Sequence, residues 1–378
     1  MTMTITRPST TDEWVTLAHE LGARLQPQVN DHDRDGELSV DAFNLLRGAG
    51  LTAALVPAEF GGGDATHADM GAVLRALAQH DSSTAVALSM HSHVLAFQLW
   101  RHRRGMDASG VLTKVANGAM LLSTGASDWL GSNGTTVRVE GGYRVTARKA
   151  PISGCEVGNV LSTSFRYEDA PDGPSVIHCS VPTDAPGVRI ERTWNTLGLR
   201  ATGSHTVVFD DVFVPDAAVA LTRPADVWAP VWNAILGCAM PLIMSAYLGI
   251  ADAAVAAALD VVRGRSEAHV TLGVGQMIGA HLRADDAVRA MFAESDDLRF
   301  DNTDDRVARV LARKTTAADA VIETVRLALE VSGGSGFSRT SPIERHLRDV
   351  HGCLFHPLPS AKQVTLTGRV ALGLTPVG

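Results

Sequence analysis

The chain has 378 residues and a formal net charge of −8, with an ordinary apolar fraction and plentiful Gly. That length admits two or three domains around a large core. The acidic balance argues against nucleic acid as the main partner. No apolar run of roughly 18 residues stands out, so no membrane span or membrane partner is expected. Met1 to Asp12 is polar and Thr-rich, unlike a secretion signal, so the expected location is the cytoplasm. The four cysteines, Cys155, Cys179, Cys238 and Cys353, are scattered without C-x-x-C spacing. They read as free buried thiols, and no metal ligands are assigned.

From about Glu13 to Gly118 the pattern is helical. Trp14, Leu17, Ala18, Leu21 and Leu25 recur at helical spacing. Ser39 suits the N-cap of a helix through Asp41–Arg47. Further helices are expected over His67–Gln79 and Ser83–Trp100, the latter carrying His91 and His93. From about Ala119 the pattern changes to strands. Thr135–Val139 and Tyr143–Ala147 alternate around Glu140-Gly141-Gly142, which predicts a hairpin. Val160–Phe165, Ser175–Val181 and Thr206–Phe213 are further strand candidates. Helices return after Pro215. Pro241–Val262 is apolar all round and must be buried, inside a bundle or at a subunit interface. Helices are expected at about Met277–Phe292, Asp304–Val331 and Ser360–Ala371. The implied domains are 1–118 helical, 119–221 β and 222–378 helical, an α+β chain.

Ser332–Lys362 carries the densest chemistry. Ser332-Gly-Gly-Ser-Gly-Phe337 interrupts a helical pattern, and its glycines allow close backbone approach and positive φ. Ile343-Glu-Arg-His-Leu-Arg-Asp349 follows, and then Phe355-His-Pro-Leu-Pro359, where the prolines end the helix and stiffen a loop. A helix C-cap and an ordinary connection is the structural alternative.

Gly333-Gly-Ser-Gly-Phe337 followed by Ile343–Asp349 resembles the late motif of the acyl-CoA dehydrogenase superfamily, Gly-Gly-x-Gly-aromatic and then Val-Glu-Arg-x-x-Arg-Asp. Gly50-Leu…Val-Pro57…Glu59-Phe-Gly-Gly-Gly63 is similar to its early signature. The resemblance covers nearly the whole chain. It implies an N-terminal helical domain, a middle β-barrel or sandwich domain and a C-terminal four-helix bundle. It also implies a homo-oligomer, a dimer or a tetramer, and a bound flavin.

Several segments bear on that flavin. Ser123-Thr-Gly-Ala-Ser-Asp-Trp129 resembles the segment whose backbone and hydroxyls bond the flavin ring, so Ser123, Thr124 and Ser127 take that role. Arg148-Lys-Ala-Pro-Ile-Ser-Gly154 resembles the strand end beside the ring, which sets Ile152 and Ser153 against its edge. Pro151 stands where the family has a tryptophan. Arg265 and Gln276 match an Arg…Gln pair that reaches the cofactor's diphosphate from a neighbouring subunit, and an arginine fork suits a diphosphate. Ala268 replaces the family's phenylalanine. Glu330 replaces the glutamine that precedes Gly333 and Gly334, and an acid near a diphosphate repels it unless it points away. The implied cofactor is FAD, with FMN as the alternative. Trp194–Ser204, ending in Gly-Leu-Arg-Ala-Thr-Gly-Ser, resembles the family's Gly-x-Arg segment and sets Arg200 and Ser204 at the substrate. Met240, Met244 and Tyr247 on the apolar helix are pocket candidates, and core packing accounts for them equally.

Dehydrogenation needs a base for the α-proton. The family's two glutamate positions fall on Pro357 and Ala239, which cannot take one. His356 stands beside the first. The oxygenase branch of the superfamily, of the dibenzothiophene monooxygenase type, has a histidine in this loop and a second from the N-terminal helices, here His91 or His93. Ser153 assists. In that branch reduced flavin reacts with oxygen at C4a, and the protein shields the resulting peroxide. Three readings follow. The first is an oxygenase acting with O2 on a small molecule or an acyl thioester, served by a separate flavin reductase. The second is an acyl-CoA or acyl-carrier-protein dehydrogenase with a substitute base such as His356. The third is a non-catalytic flavin-fold protein.

Overall fold

A computed structural model describes residues 8–124 and 128–378. In chain order the helices of the first part are α1 (Thr11–Leu25), α2 (Val29–Asp35), α3 (Val40–Gly48), α4 (His67–Ala78), α5 (Ser82–His102) and α6 (Ser109–Ala116). Strands follow as β1 (Leu121–Ser123), β2 (Thr135–Val139), β3 (Gly142–Ile152), β4 (Val160–Tyr167), β5 (Ser175–Pro182), β6 (Val188–Glu191), β7 (His205–Pro215) and β8 (Val219–Pro224). The last part holds α7 (Val231–Val261), α8 (Ala268–Ser295), α9 (Asp304–Phe337), α10 (Pro342–Val350) and α11 (Ser360–Ala371).

Local sequence sets the helix starts. Ser39 Oγ accepts from Ala42 N at 3.2 Å and caps α3, as its position predicts. Thr66 and Asp69 form a reciprocal capping box on α4. Asp81 accepts from Thr84 N at 3.0 Å at the head of α5.

Helix α7 departs from expectation. It begins at Val231, ten residues before the predicted start, and carries Pro241 inside. A proline forfeits one helical N–H bond, and here packing on every side holds the helix through it. The expectation that no segment has membrane-span character is corrected too. By length and composition α7 is long and apolar enough to cross a membrane, yet 94% of its most apolar window is buried within the chain. It packs against α4, α5, α8 and α9, so the N-terminal and C-terminal helices share one core. Helix α9 runs to Phe337 with a break at Gly333, whose φ of 58° suits glycine.

The strands form two four-stranded sheets, ordered β1-β4-β5-β8 and β2-β3-β7-β6. The predicted hairpin is β2 on β3, with Val139 opposite Gly142. Their inner faces enclose a separate core that includes Phe165 and Phe209, edge to face at 5.0 Å. The four cysteines are free and buried, as expected.

Candidate active site

A cavity of about 1950 Å³ opens where the β1-β4-β5-β8 sheet meets α5, α6, the first half of α7 and residues 351–357. Single-ligand pockets measure roughly 300–1,000 Å³, so this one has room for a flavin and a second molecule. Of the residues singled out by sequence, His93, Ser123, Thr124, Ser153, Ser204, Met240, Tyr247 and His356 line it.

The others lie elsewhere. His91 is buried in the helical core; its Nε2 meets Thr52 O at 2.8 Å and its Nδ1 accepts from Leu121 N at 2.9 Å. Both nitrogens are engaged, so His91 braces α5 against β1 and does not face the cavity. Ile152 turns its side chain into the β-domain core, and Met244 is fully buried in the helical core. Arg200 does not reach the cavity. It donates to Asp33 O at 2.8 Å, Thr196 O at 3.2 Å and Arg34 O at 3.3 Å, holding the β6–β7 connection on α2. Arg265, Gln276, Glu330, Gly333 and Gly334 sit on the outer surface around α8 and the end of α9, away from the cavity of their own chain. There Arg265 pairs with Glu267 at 3.1 Å, and Glu330 is turned toward Arg326. Ser127 lies outside the described residues.

At one end of the cavity, His356 Nε2 and Tyr247 Oη are 2.8 Å apart. Tyr247 is fully buried, and burial raises its phenol well above the usual range, so it stays protonated. Desolvation first, then the Lys314 charge and His93, lowers His356 below its usual value, so the imidazole is neutral at neutral pH. His93 is depressed by desolvation as well, to about 4. Lys314, on α9 and missed by sequence reasoning, donates to His356 O at 3.0 Å and Leu358 O at 3.3 Å. Nothing in its local sequence marks it.

A chain of hydroxyls forms a second feature. Thr202 Oγ1 donates to Leu199 O at 3.0 Å; Ser204 Oγ lies 2.6 Å from Thr202 Oγ1 and 2.8 Å from Ser153 Oγ. With the last proton directed at a carbonyl, each hydroxyl donates along the chain, and Ser153 Oγ is left with lone pairs to accept from a ligand. The positions of Ser123, Ser162 and Ser180 follow from strand register. Ser123 pairs with Ser162 across β1 and β4, and Ser162 with Ser180 across β4 and β5. All three line the cavity. Trp129 and Trp232 form an aromatic wall with ring centroids 6.4 Å apart. The Trp232 indole N–H and the Thr163 hydroxyl are buried without a partner. These open groups, with Ser123, Thr124 and Ser153, are what a ring bearing several carbonyl and N–H groups would engage, so the residues present fit a flavin.

Carboxylates lining the cavity are Asp107, Asp128 and Asp184. Asp128 is held by buried Lys149 at 3.0 Å and Asp107 accepts from Ser109 N at 3.1 Å. None lies on α7 or on residues 351–357. Ala239 and Pro357, the positions to which the sequence resemblance assigns the glutamates of a dehydrogenase, both line the cavity.

Two family profiles match. Residues 16–118 match "Acyl-CoA dehydrogenase, N-terminal domain" and residues 242–360 match "Acyl-CoA dehydrogenase, C-terminal domain". The chain belongs to the acyl-CoA dehydrogenase superfamily. Among its relatives, amino sugar nitrososynthase DnmZ of Streptomyces peucetius is 28% identical, over 92% of this chain and 90% of that protein. Isobutylamine N-hydroxylase of Streptomyces viridifaciens is 26% identical, over 86% of this chain and 87% of that one. The solved structure of KijD3 in complex with FMN and dTDP-3-amino-2,3,6-trideoxy-4-keto-3-methyl-D-glucose superposes with a TM-score of 0.86 at 28% identity, covering 97% of this chain and 95% of that chain.

Proposed function

We propose that this protein is a flavin-dependent oxygenase that uses O2 to oxidise an amine nitrogen of a small molecule. The observation that supports this reading is the end of the cavity: Ala239 and Pro357, to which the resemblance assigns the glutamates of a dehydrogenase, line it and cannot take a proton, and the His356–Tyr247 pair stands beside them. The nitrogen as the oxidised atom is supported by the similarity to amine-oxidising relatives.

Ser123, Thr124 and Ser153 would hold the flavin ring, FMN or FAD. When bound, reduced flavin supplies the electrons for oxygen chemistry. The remaining work falls to the chain. An apolar cavity wall with Met240, Trp129 and Trp232 excludes water. His356, neutral at working pH, takes a proton from the substrate nitrogen at Nδ1, while its Nε2–H donates to Tyr247 Oη, which fixes the ring. Arg265 and Gln276, exposed on the outer surface, serve the diphosphate of FAD in a neighbouring subunit of a homo-oligomer. Reducing equivalents come from a separate flavin reductase in the cytoplasm.

The test is rapid mixing of the anaerobically reduced flavin complex with oxygenated buffer, followed by incubation with a panel of primary amines. A transient spectrum distinct from both reduced and oxidised flavin, and products heavier by oxygen, are expected. Acyl thioesters desaturated with an artificial electron acceptor, and no oxygen in any product, would overturn the reading.

A further inference from the structure

We propose that Lys314 is the positioning residue of this site: its buried ammonium clamps the two carbonyls that flank Pro357 and so fixes where the His356 imidazole stands. The inference rests on the reading of His356 given above and names the residue that acts through it.

Lys314 is 2% exposed. Burying an ammonium is unfavourable unless its protons are taken up. Among the described residues no carboxylate forms an ion pair with it. Its bonds go to His356 O at 3.0 Å and Leu358 O at 3.3 Å. That loop is short of its own donors, because Pro357 and Pro359 have no N–H. A charge-assisted bond from below, out of the rigid helix α9, therefore anchors a stretch that cannot form helical bonds of its own. The clamp acts on both sides of the residue next to His356, so the imidazole has little freedom to leave Tyr247.

The same ammonium, itself made less basic by burial, is a positive charge beside the ring. Titratable groups facing His356 come from every neighbouring element. His93 is on α5, Tyr247 on α7, and Lys314 on α9 with Asp319 acting on it at longer range; Cys353 belongs to the segment itself, and Asp349 acts on Tyr247. Among them Lys314 is the only cation, and after burial it is the largest influence lowering the basicity of His356. A residue that merely filled space would hold the loop without touching that titration.

Histidine-selective 15N labelling and NMR at neutral pH, where the fold is stable, read the effect with or without a bound flavin. The His356 resonances are identified by their loss in His356→Ala. In the parent the two ring nitrogens should show the well-separated shifts of one fixed tautomer, held by the bond to Tyr247. In Lys314→Met the two shifts should collapse toward the average of two exchanging tautomers, whereas Lys314→Arg, which keeps the charge and the donors, should keep them apart. Should Lys314→Met fail to fold, Lys314→Gln, neutral and with a weaker donor, should show the same collapse in part. Unchanged shifts in the neutral variant, or an equal collapse in Lys314→Arg, overturn the proposal. A collapse together with full turnover in His356→Ala would sink the catalytic reading and leave the clamp standing.

Discussion

Tyr247 Oη and His356 Nε2 lie 2.8 Å apart, joining the buried middle of α7 to the loop after α10 across 109 positions of sequence. The bond fixes the ring plane, and with Nε2–H donating to Tyr247 Oη the neutral ring keeps the lone pair of Nδ1 for a substrate proton. Tyr247→Phe keeps the packing and removes the bond; product formation should fall about tenfold, the value of one hydrogen bond in a shielded site. His356→Ala should lower it a hundredfold or more, on the order of a lost general base. Flavin affinity should be nearly unchanged in both, because neither side chain is assigned to the cofactor. Titrating flavin fluorescence beside product analysis separates the two quantities. Unaltered product formation in His356→Ala removes His356 from the mechanism.

Much of this was legible in the chain. The cap at Ser39, the turn at Glu140-Gly141 and the helix over Ser360–Ala371 depend on neighbours in sequence and stand as expected. The start of α7 did not, because a proline reads as a helix breaker and only the surrounding helices allow it inside one. His91 and His93 show another limit. Two positions apart on a helix, their side chains point to different faces, so one alone could line the cavity. Which one depends on how α5 lies against β1. Arg200 failed as a cavity residue for a similar reason: its partners are backbone carbonyls of Asp33 and Arg34, distant in sequence.

The surface position of Arg265 leads to a cofactor prediction. Among the described residues its only charged partner is Glu267, on an exposed segment, where an ion pair is weak. The guanidinium is thus free to turn to a diphosphate brought by another subunit. Arg265→Ala should weaken FAD by about tenfold and leave FMN and riboflavin nearly unchanged, since only FAD carries the diphosphate. Equal weakening of all three would show that this segment does not serve the cofactor.

Asp349 links three elements. Its carboxylate accepts from Leu199 N at 2.6 Å and from the Ser82 hydroxyl, which heads α5. Burial is the main cause that pushes it up from 3.8 to about 6. A carboxyl raised in the folded state stabilises the fold fully below its unfolded value and loses that contribution as pH rises through about 6. Asp349→Asn keeps an acceptor for Leu199 and offers a donor to Ser82 without ever charging. Between about pH 4 and pH 6 the variant should gain on the parent by on the order of 2 kcal/mol, measured by denaturant unfolding at each pH. A flat difference across that window would mean that Asp349 is charged in the fold at all these values.

The buried histidines act in the opposite sense and outnumber it. His67 bonds Cys238 O and Ser295 Oγ, each at 2.9 Å, and burial lowers it to about 4. His91 falls to about 4 and His346 to about 3, desolvation being the first cause for each. A histidine depressed in the folded state gives its full contribution above its unfolded value of 6.5 and loses it as pH falls toward the folded one. The loss is on the order of 2 kcal/mol for each of the three once the pH has dropped well below 6, larger in sum than what Asp349 returns. Stability should therefore decline steeply from neutral pH to about pH 5, before most carboxylates titrate. His91→Gln retains a side chain that can accept from Leu121 N and donate to Thr52 O. It should be less stable than the parent at neutral pH and lose less on acidification. If the variant and the parent decline in parallel, His91 is charged in the fold, and the acid sensitivity must come from elsewhere.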